Sequence, residues 1–334
     1  MARMQSQKAF AALYRALLAA LLAALAPVPA IAQEFPQPGK TVRILNPFPP
    51  GGTADTLSRA IAAKLTQQIG VPVVVENKPG GSTVVAVNEL RRSPPDGHTV
   101  LYTVTGTTSQ LPHLYSKPPY DPFTDFTPLG LAAFNRLILV AVAAAPFDTV
   151  REMVEYARAN PGKVNYASFG NGSFPHIVSE QLNKAAGIGM THVPYKGGSD
   201  AARAILTGEV QLLFDAPVTA INNARGGKVK LLAIVGPRRI AGIDHVPAME
   251  ESGYKGFDTP GLEQLLGPPG MSPALIAKVN AEFMKAIRSP EIADLYRKNG
   301  FEFVASSAEE HARIMKDNHD RWGEVIRRIG VKLD

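Results

Sequence analysis

Twice along this chain an extended apolar run ends in a glycine-rich loop that leads straight into a helical pattern. The first unit is the run 42–46, the loop Pro47-Phe48-Pro49-Pro50-Gly51-Gly52-Thr53 and a helical pattern over about 54–69. The second is the run 164–168, the loop Phe169-Gly170-Asn171-Gly172-Ser173 and a helical pattern over about 176–186. A helix N-terminus leaves backbone N–H groups unpaired and carries roughly half a positive charge, so each unit is a candidate anion cradle. Glycine removes the Cβ that would hold a ligand off the backbone. Two such units, far apart in the chain, point to two lobes closing on one anionic ligand.

The rest of the pattern fits that plan. Extended runs at 71–75, 100–104, 137–142, 191–193, 211–215 and 230–235 alternate with helical stretches, which predicts an α/β fold with mainly parallel sheets flanked by helices. Thr149-x-x-Glu152 and Ser307-x-x-Glu310 read as capping boxes, and Ser272-Pro273 and Ser289-Pro290 as serine caps ahead of an N1 proline. A long amphipathic helix is predicted to end at Ile329, with Gly330 as its stop. Irregular stretches at 126–135 and 256–267 are the candidate crossings between lobes. The expected division is lobe 1 over 33–132 plus 257–334, and lobe 2 over 133–256.

Residues 1–32 read as a cleaved export signal. Arg3, Lys8 and Arg15 form a basic n-region, an apolar run covers 16–26, and Ala30-Ile31-Ala32 has the form of a signal-peptidase site. The run is shorter than the roughly 20 residues that span a bilayer. The chain contains no cysteine, so it has no residue on which to carry a lipoprotein anchor and no thiol chemistry. A freely diffusing periplasmic protein is expected, and a monomer. About 300 residues then remain, enough for more than one core. Formal net charge is +6, and the signal's three basic residues leave +3 for the remainder. Lys and Arg are scattered with no basic run, so no nucleic-acid partner is expected.

Catalytic and cofactor patterns are missing. Tyr166-Ala167-Ser168-Phe169-Gly170 lacks the first glycine of a nucleophile elbow. No phosphate-binding G-x-x-x-x-G-K-[ST] occurs, and Gly170-x-Gly172 runs into Pro175, so no cofactor is expected. The seven histidines show no metal-ligand spacing backed by carboxylates, so no metal is expected either. An exported α/β hydrolase-like enzyme is the competing class, and a purely structural protein the third.

In its motifs the chain resembles the Bug (TctC-type) family, the extracytoplasmic receptors of tripartite tricarboxylate transporters. The resemblance rests on the segments that begin at Phe48, Val74, Pro95, Leu114, Pro161, Gly170 and His192, in family order across about 35–331. It implies a two-lobe Venus-flytrap fold without enzymatic activity. It also implies a small carboxylate ligand gripped by the two glycine loops, and two membrane subunits as partners; some relatives serve sensory systems instead. Four departures put the pocket outside the grip apart from the family pattern. Pro79-Gly80-Gly81-Ser82-Thr83-Val84 stands where many relatives read Pro-Gly-Ala-Gly-Gly-Asn, Leu111 stands where asparagine is common, Phe174-Pro175 replaces two small polar residues, and Leu262 and Gln264 fall where a tryptophan and a glycine are common.

The candidate ligand-binding residues follow from both readings. Phe48, Pro50, Gly51, Gly52 and Thr53 come from the first loop, and Gly170, Asn171, Gly172 and Ser173 from the second. Ser168 offers a hydroxyl, and Asp55 lies in the first turn of its helix, where it is suited to a ligand hydroxyl or ammonium or to capping. Asp215 ends a predicted strand, where cleft residues gather in open α/β sheets, and could equally cap the next helix. His176 is read as structural or as a supporting donor, and Tyr195 and Thr105 complete the set. Phe48 and Phe174, with Val84 and Leu111, would give an apolar pocket for an aromatic or longer aliphatic carboxylate, unless they merely pack the loops.

Overall fold

The computed structural model of the chain describes residues 35–334; the expected signal at 1–32 lies outside them. The first α/β stretch builds three strands separated by helices: β1 (Val42–Asn46), α1 (Thr53–Ile69), β2 (Val73–Asn77), α2 (Val84–Arg92) and β3 (Thr99–Val104). β1 pairs in parallel with β2 on one side and β3 on the other. Helical crossovers make this possible, because parallel neighbours cannot be joined by a tight turn. A π-helical turn (Gly106–Gln110) and the short helix α3 (Leu111–Leu114) follow β3.

β4 (Thr127–Asn135) then carries the chain out of this sheet, and β10 (Gly261–Gly267) brings it back. The six-stranded sheet runs β11-β4-β10-β3-β1-β2, with β11 (Glu302–Phe303) at its edge. β10 is antiparallel to both β3 and β4. The stretches predicted as irregular crossings are therefore largely strands in the centre of the sheet. Pro128, Gly130, Gly261 and Gly267 read as breakers, and β10 is buried at every position, which leaves no polar–apolar alternation to reveal it. Two register irregularities between β4 and β10 absorb the mismatch.

The second lobe holds β5 (Ile138–Val142), α4 (Val150–Ala159), β6 (Asn165–Ser168), α5 (Phe174–Ala186), β7 (Thr191–Pro194), α6 (Gly198–Leu206), β8 (Leu212–Asp215), α7 (Pro217–Arg225) and β9 (Val229–Ile234). Its sheet runs β7-β6-β8-β5-β9; β6, β7 and β8 are parallel, and β5 is antiparallel to both neighbours. Each sheet thus keeps a parallel core at the strand–loop–helix units, while the strands nearest the crossings run antiparallel.

After β10 come α8 (Pro273–Ile287), α9 (Pro290–Lys298) and the 22-residue α10 (Ala308–Ile329). The Ser307, Thr149 and Ser272 hydroxyls accept from the N–H three residues on, as capping requires; Ser289 holds the cap position without that bond. α10 touches both lobes. Met315 packs with Leu45 and Leu101 of the first sheet, whereas Trp322, Val325 and Ile326 join Leu139, Phe174 and Phe214 of the second. The Trp322 ring meets Phe174 edge-on, with centroids 5.4 Å apart. Burying each such side chain contributes roughly 1.5–3 kcal/mol, so this helix binds the two lobes together. Among the described residues no helix is long and apolar enough to cross a membrane.

Candidate functional site

The first glycine loop is tied down by side chains at the ends of β1 and β2. Asn46 accepts from the Phe48 N–H at 3.0 Å and gives its own amide to Ser58 Oγ at 3.1 Å. Asn77, its register partner, donates to the Phe48 carbonyl at 3.0 Å and to Asp55 Oδ1 at 2.9 Å. Asp55 Oδ2 accepts from the Gly51 N–H at 2.9 Å and from Arg59 Nε at 3.0 Å. Burial pushes the Asp55 carboxyl up, but the bonds from Arg59, Gly51 and Asn77 outweigh it and hold the group below the usual aspartate range. Both carboxylate oxygens therefore serve the loop. No side chain caps α1 at Gly52, so its first-turn N–H groups keep no side-chain partner. Gly51 has φ +86°, and Pro50 and Gly51 are exposed.

The second loop hangs on a stack of rings. His176 and His192 lie face to face, centroids 4.0 Å apart at 11°, and Tyr166 stacks on the other face of His192 at 5.0 Å. The Gly172 N–H donates to His176 Nδ1 at 3.0 Å, and Ser168 Oγ lies 2.6 Å from His192 Nε2. The Gly170 N–H donates to Ser168 Oγ, and the Ser173 N–H to the Gly170 carbonyl. Burial, with the second ring's charge adding to it, pulls His176 down to about 3; burial alone takes His192 to about 4. Both imidazoles are neutral at pH 7, as an Nδ1 that accepts a hydrogen bond requires. Ser173 stands at the N-cap of α5, yet its buried hydroxyl has no partner among the described residues.

The lobes touch across the cleft between these loops. Ser82 Oγ, ahead of α2, donates to the Asn171 carbonyl at 2.9 Å. The Pro49 ring comes 3.5 Å from where a Cβ on Gly197 would lie. Gly172, at φ +74°, is pressed against the first lobe; a Cβ there would sit 2.8–3.1 Å from Leu114, Leu333 and Leu111. A cavity of about 640 Å³ opens beside these contacts, lined by Ser82, Gly170, Asn171, Tyr195, Lys196 and Arg203 among others. Asp200 lines the same cavity and pairs with Arg203 at 3.0 Å, so the positive charge that suits an anion comes from the exposed Lys196.

Of the predicted site residues, Gly170, Asn171 and Tyr195 line this cavity, while Gly51, Gly52 and Thr53 do not. The Tyr195 hydroxyl is turned to Glu209, at 2.6 Å. Thr105 is buried and bonds to Asn318 of α10, a tie between helix and sheet. Phe174 and Leu111 are buried in the core shared with α10, not set along the cavity. Asp215, 2% exposed, accepts among the described residues only from the Ala216 N–H, and burial pushes its carboxyl up to about 7.

Two residues that hold the loops, and one buried amide elsewhere in the first lobe, escaped the sequence reading. His192 and Asn77 come to their loops from other strands, so no local spacing signals them. Gln110, in the π-turn, buries an amide of which neither end finds a partner among the described residues. Such an orphaned group and a π-turn are both common marks of functional sites. Among the described residues, no group of three His, Asp or Glu is placed to hold a metal ion.

Comparison with known proteins completes the picture. The sequence profile of tripartite tricarboxylate transporter family receptors matches residues 57–331. The periplasmic binding protein BugD superposes with a TM-score of 0.82 at 29% identity, covering 89% of this chain and 99% of that one. R. palustris Rpa4515, solved with adipate, gives 0.83 at 28%, covering 88% and 99%. MatC from Rhodopseudomonas palustris, with bound malate, gives 0.82 at 28%, covering 87% and 100%. The fold is thus the two-lobe periplasmic-binding-protein fold, and this chain belongs to the Bug (TctC-type) family of receptors.

Proposed function

We propose that the protein captures a small carboxylate between its lobes, unchanged and without a cofactor, and delivers it in the periplasm to the membrane subunits of a tripartite transporter. The observation that carries this reading is the pair of helices α1 and α5. One stands in each lobe, neither is capped by a side chain, and each follows a glycine loop that buried side chains hold in place. Preformed N–H groups bind an anion without first being ordered. Gly51 and Gly172 spend their N–H groups on Asp55 and His176, so we assign the grip to Gly52, Thr53 and Asn171 and to the free Ser173 hydroxyl. Lys196, exposed at the rim, draws the anion in.

The related proteins solved with adipate and malate favour an aliphatic dicarboxylate here. Leu111 and Phe174 pack into the core, which weakens the case for an aromatic acid. The test is a thermal-shift series on refolded protein with adipate, malate, citrate and benzoate. A ligand at about 100 times its dissociation constant adds roughly 2.7 kcal/mol, several degrees for a chain of this size. A shift with adipate or malate is expected. No shift with any of the four, or turnover of one of them, would sink the proposal.

A further inference from the structure

Four consecutive residues ahead of α2, Gly80, Gly81, Ser82 and Thr83, have positive φ, at 136°, 54°, 49° and 89°. Glycine adopts such angles freely, but a serine and a β-branched threonine do so only at a steric cost. Non-glycine residues persist there only where their surroundings force them to, and the sites that do so concentrate at clamps and switches. Here the forcing contacts are visible. The Thr83 N–H closes onto the Gly80 carbonyl at 3.1 Å, and Thr107 of the π-turn donates to Thr83 Oγ1 at 3.3 Å. Tyr120 in turn holds the Thr107 carbonyl at 2.7 Å.

This strained turn carries the Ser82 hydroxyl over to the Asn171 carbonyl of the other lobe, at 2.9 Å. That carbonyl and the Gly172 N–H are the two ends of one peptide unit. The N–H end goes to His176 Nδ1 at 3.0 Å, within the second lobe. A single peptide of the second glycine loop is therefore held from both lobes, and separating the lobes must break the Ser82 end. We propose that Ser82 is a closure latch, a positioning residue that clamps the Asn171–Gly172 peptide and shifts the balance between open and closed lobes toward the closed one. The proposal goes beyond the binding reading above and rests on it only for the two-lobe motion.

Because the chain has no cysteine, Gln67→Cys on α1 and Ala185→Cys on α5 can be spin-labelled without background. Both positions are exposed, one in each lobe. Interlobe distances are measured by pulsed electron spin resonance in this labelled chain, without ligand, alone and with Ser82→Ala or Ser82→Gly. The labelled parent should populate the short distance to a measurable extent. Both variants should raise the ratio of long to short by about three- to tenfold, the worth of one net hydrogen bond. Ser82→Gly should resist urea better than Ser82→Ala, since it sheds the strained Cβ as well. Superimposable distributions for parent and Ser82→Ala would overturn the latch, as would a parent wholly at the long distance. No ligand enters the measurement, so a failure of the carboxylate reading leaves this test standing.

Discussion

The first glycine loop is held by a carboxylate and two carboxamides, the second by two neutral imidazoles and a serine. Both reach the same result, a backbone fixed at the head of an uncapped helix, through different chemistry. The first is open to water, with space around its left-handed Gly51. The second is wedged between lobes, with leucines against its left-handed Gly172. A loop held by charge at the surface tolerates sequence change; a loop held by packing and neutral acceptors does not. The two should therefore fail under different insults.

The largest difference should come from adding one methyl group to each loop. Gly172→Ala forces a Cβ into the left-handed region and to within 2.8 Å of Leu114, and should cost about 3 kcal/mol or more in urea denaturation. Gly51→Ala meets nothing within 4 Å and should cost only the backbone strain, about 1–2 kcal/mol. Equal losses would remove the contrast between the loops.

Next in size is His176→Ala, which leaves the buried Gly172 N–H without an acceptor, at about 2 kcal/mol. The acid dependence should separate the loops further. His176 and His192 take protons at about 3 and 4 in the folded chain, against about 6.5 when unfolded. Their contribution is complete above pH 6.5 and declines as pH falls toward 4, because the unfolded chain binds protons first. Asp55 is lowered, so its contribution holds above the unfolded aspartate value and is lost only in stronger acid. Amide exchange between pH 7 and 4.5 should therefore show Gly172 losing protection while Gly51 keeps it.

Asp215 runs the opposite way. Its folded carboxyl titrates at about 7, so stability is present below the unfolded value and is lost as pH rises through 7. Asp215→Asn should raise stability at pH 8 by about 2 kcal/mol and give nothing at pH 4. A loss at pH 8 would show that the charge is needed. Asp55→Asn keeps one accepting oxygen for Gly51 but sets an NH2 against the donor Asn77, and should cost about 1–2 kcal/mol in urea denaturation, with Arg59 already half in water.

Much of this was written locally. The strand–loop–helix units were legible because strands with period or apolar continuity, loop glycines and helix starts lie side by side in the chain. β4 and β10 were not, because their prolines and glycines look like breaks until a neighbouring strand satisfies the backbone. Candidate residues were legible as positions, less so as orientations. Phe174 reads as a loop aromatic until Trp322, from α10 and nearly 150 residues on, draws it into the core. Asp55 reads equally as a ligand partner or a cap until Asn77 and Gly51 occupy its two oxygens. His192 could be assigned only once β6 and β7 were paired.

Trp322 is the single tryptophan of the chain, and it sits on the helix that both lobes share, its ring edge against the first residue of α5. Its indole N–H is buried with no partner among the described residues, so its emission answers to the packing and polarity of that seam. The protein is thereby a sensor with its own fluorophore, able to signal in unlabelled form when the seam between its halves is disturbed.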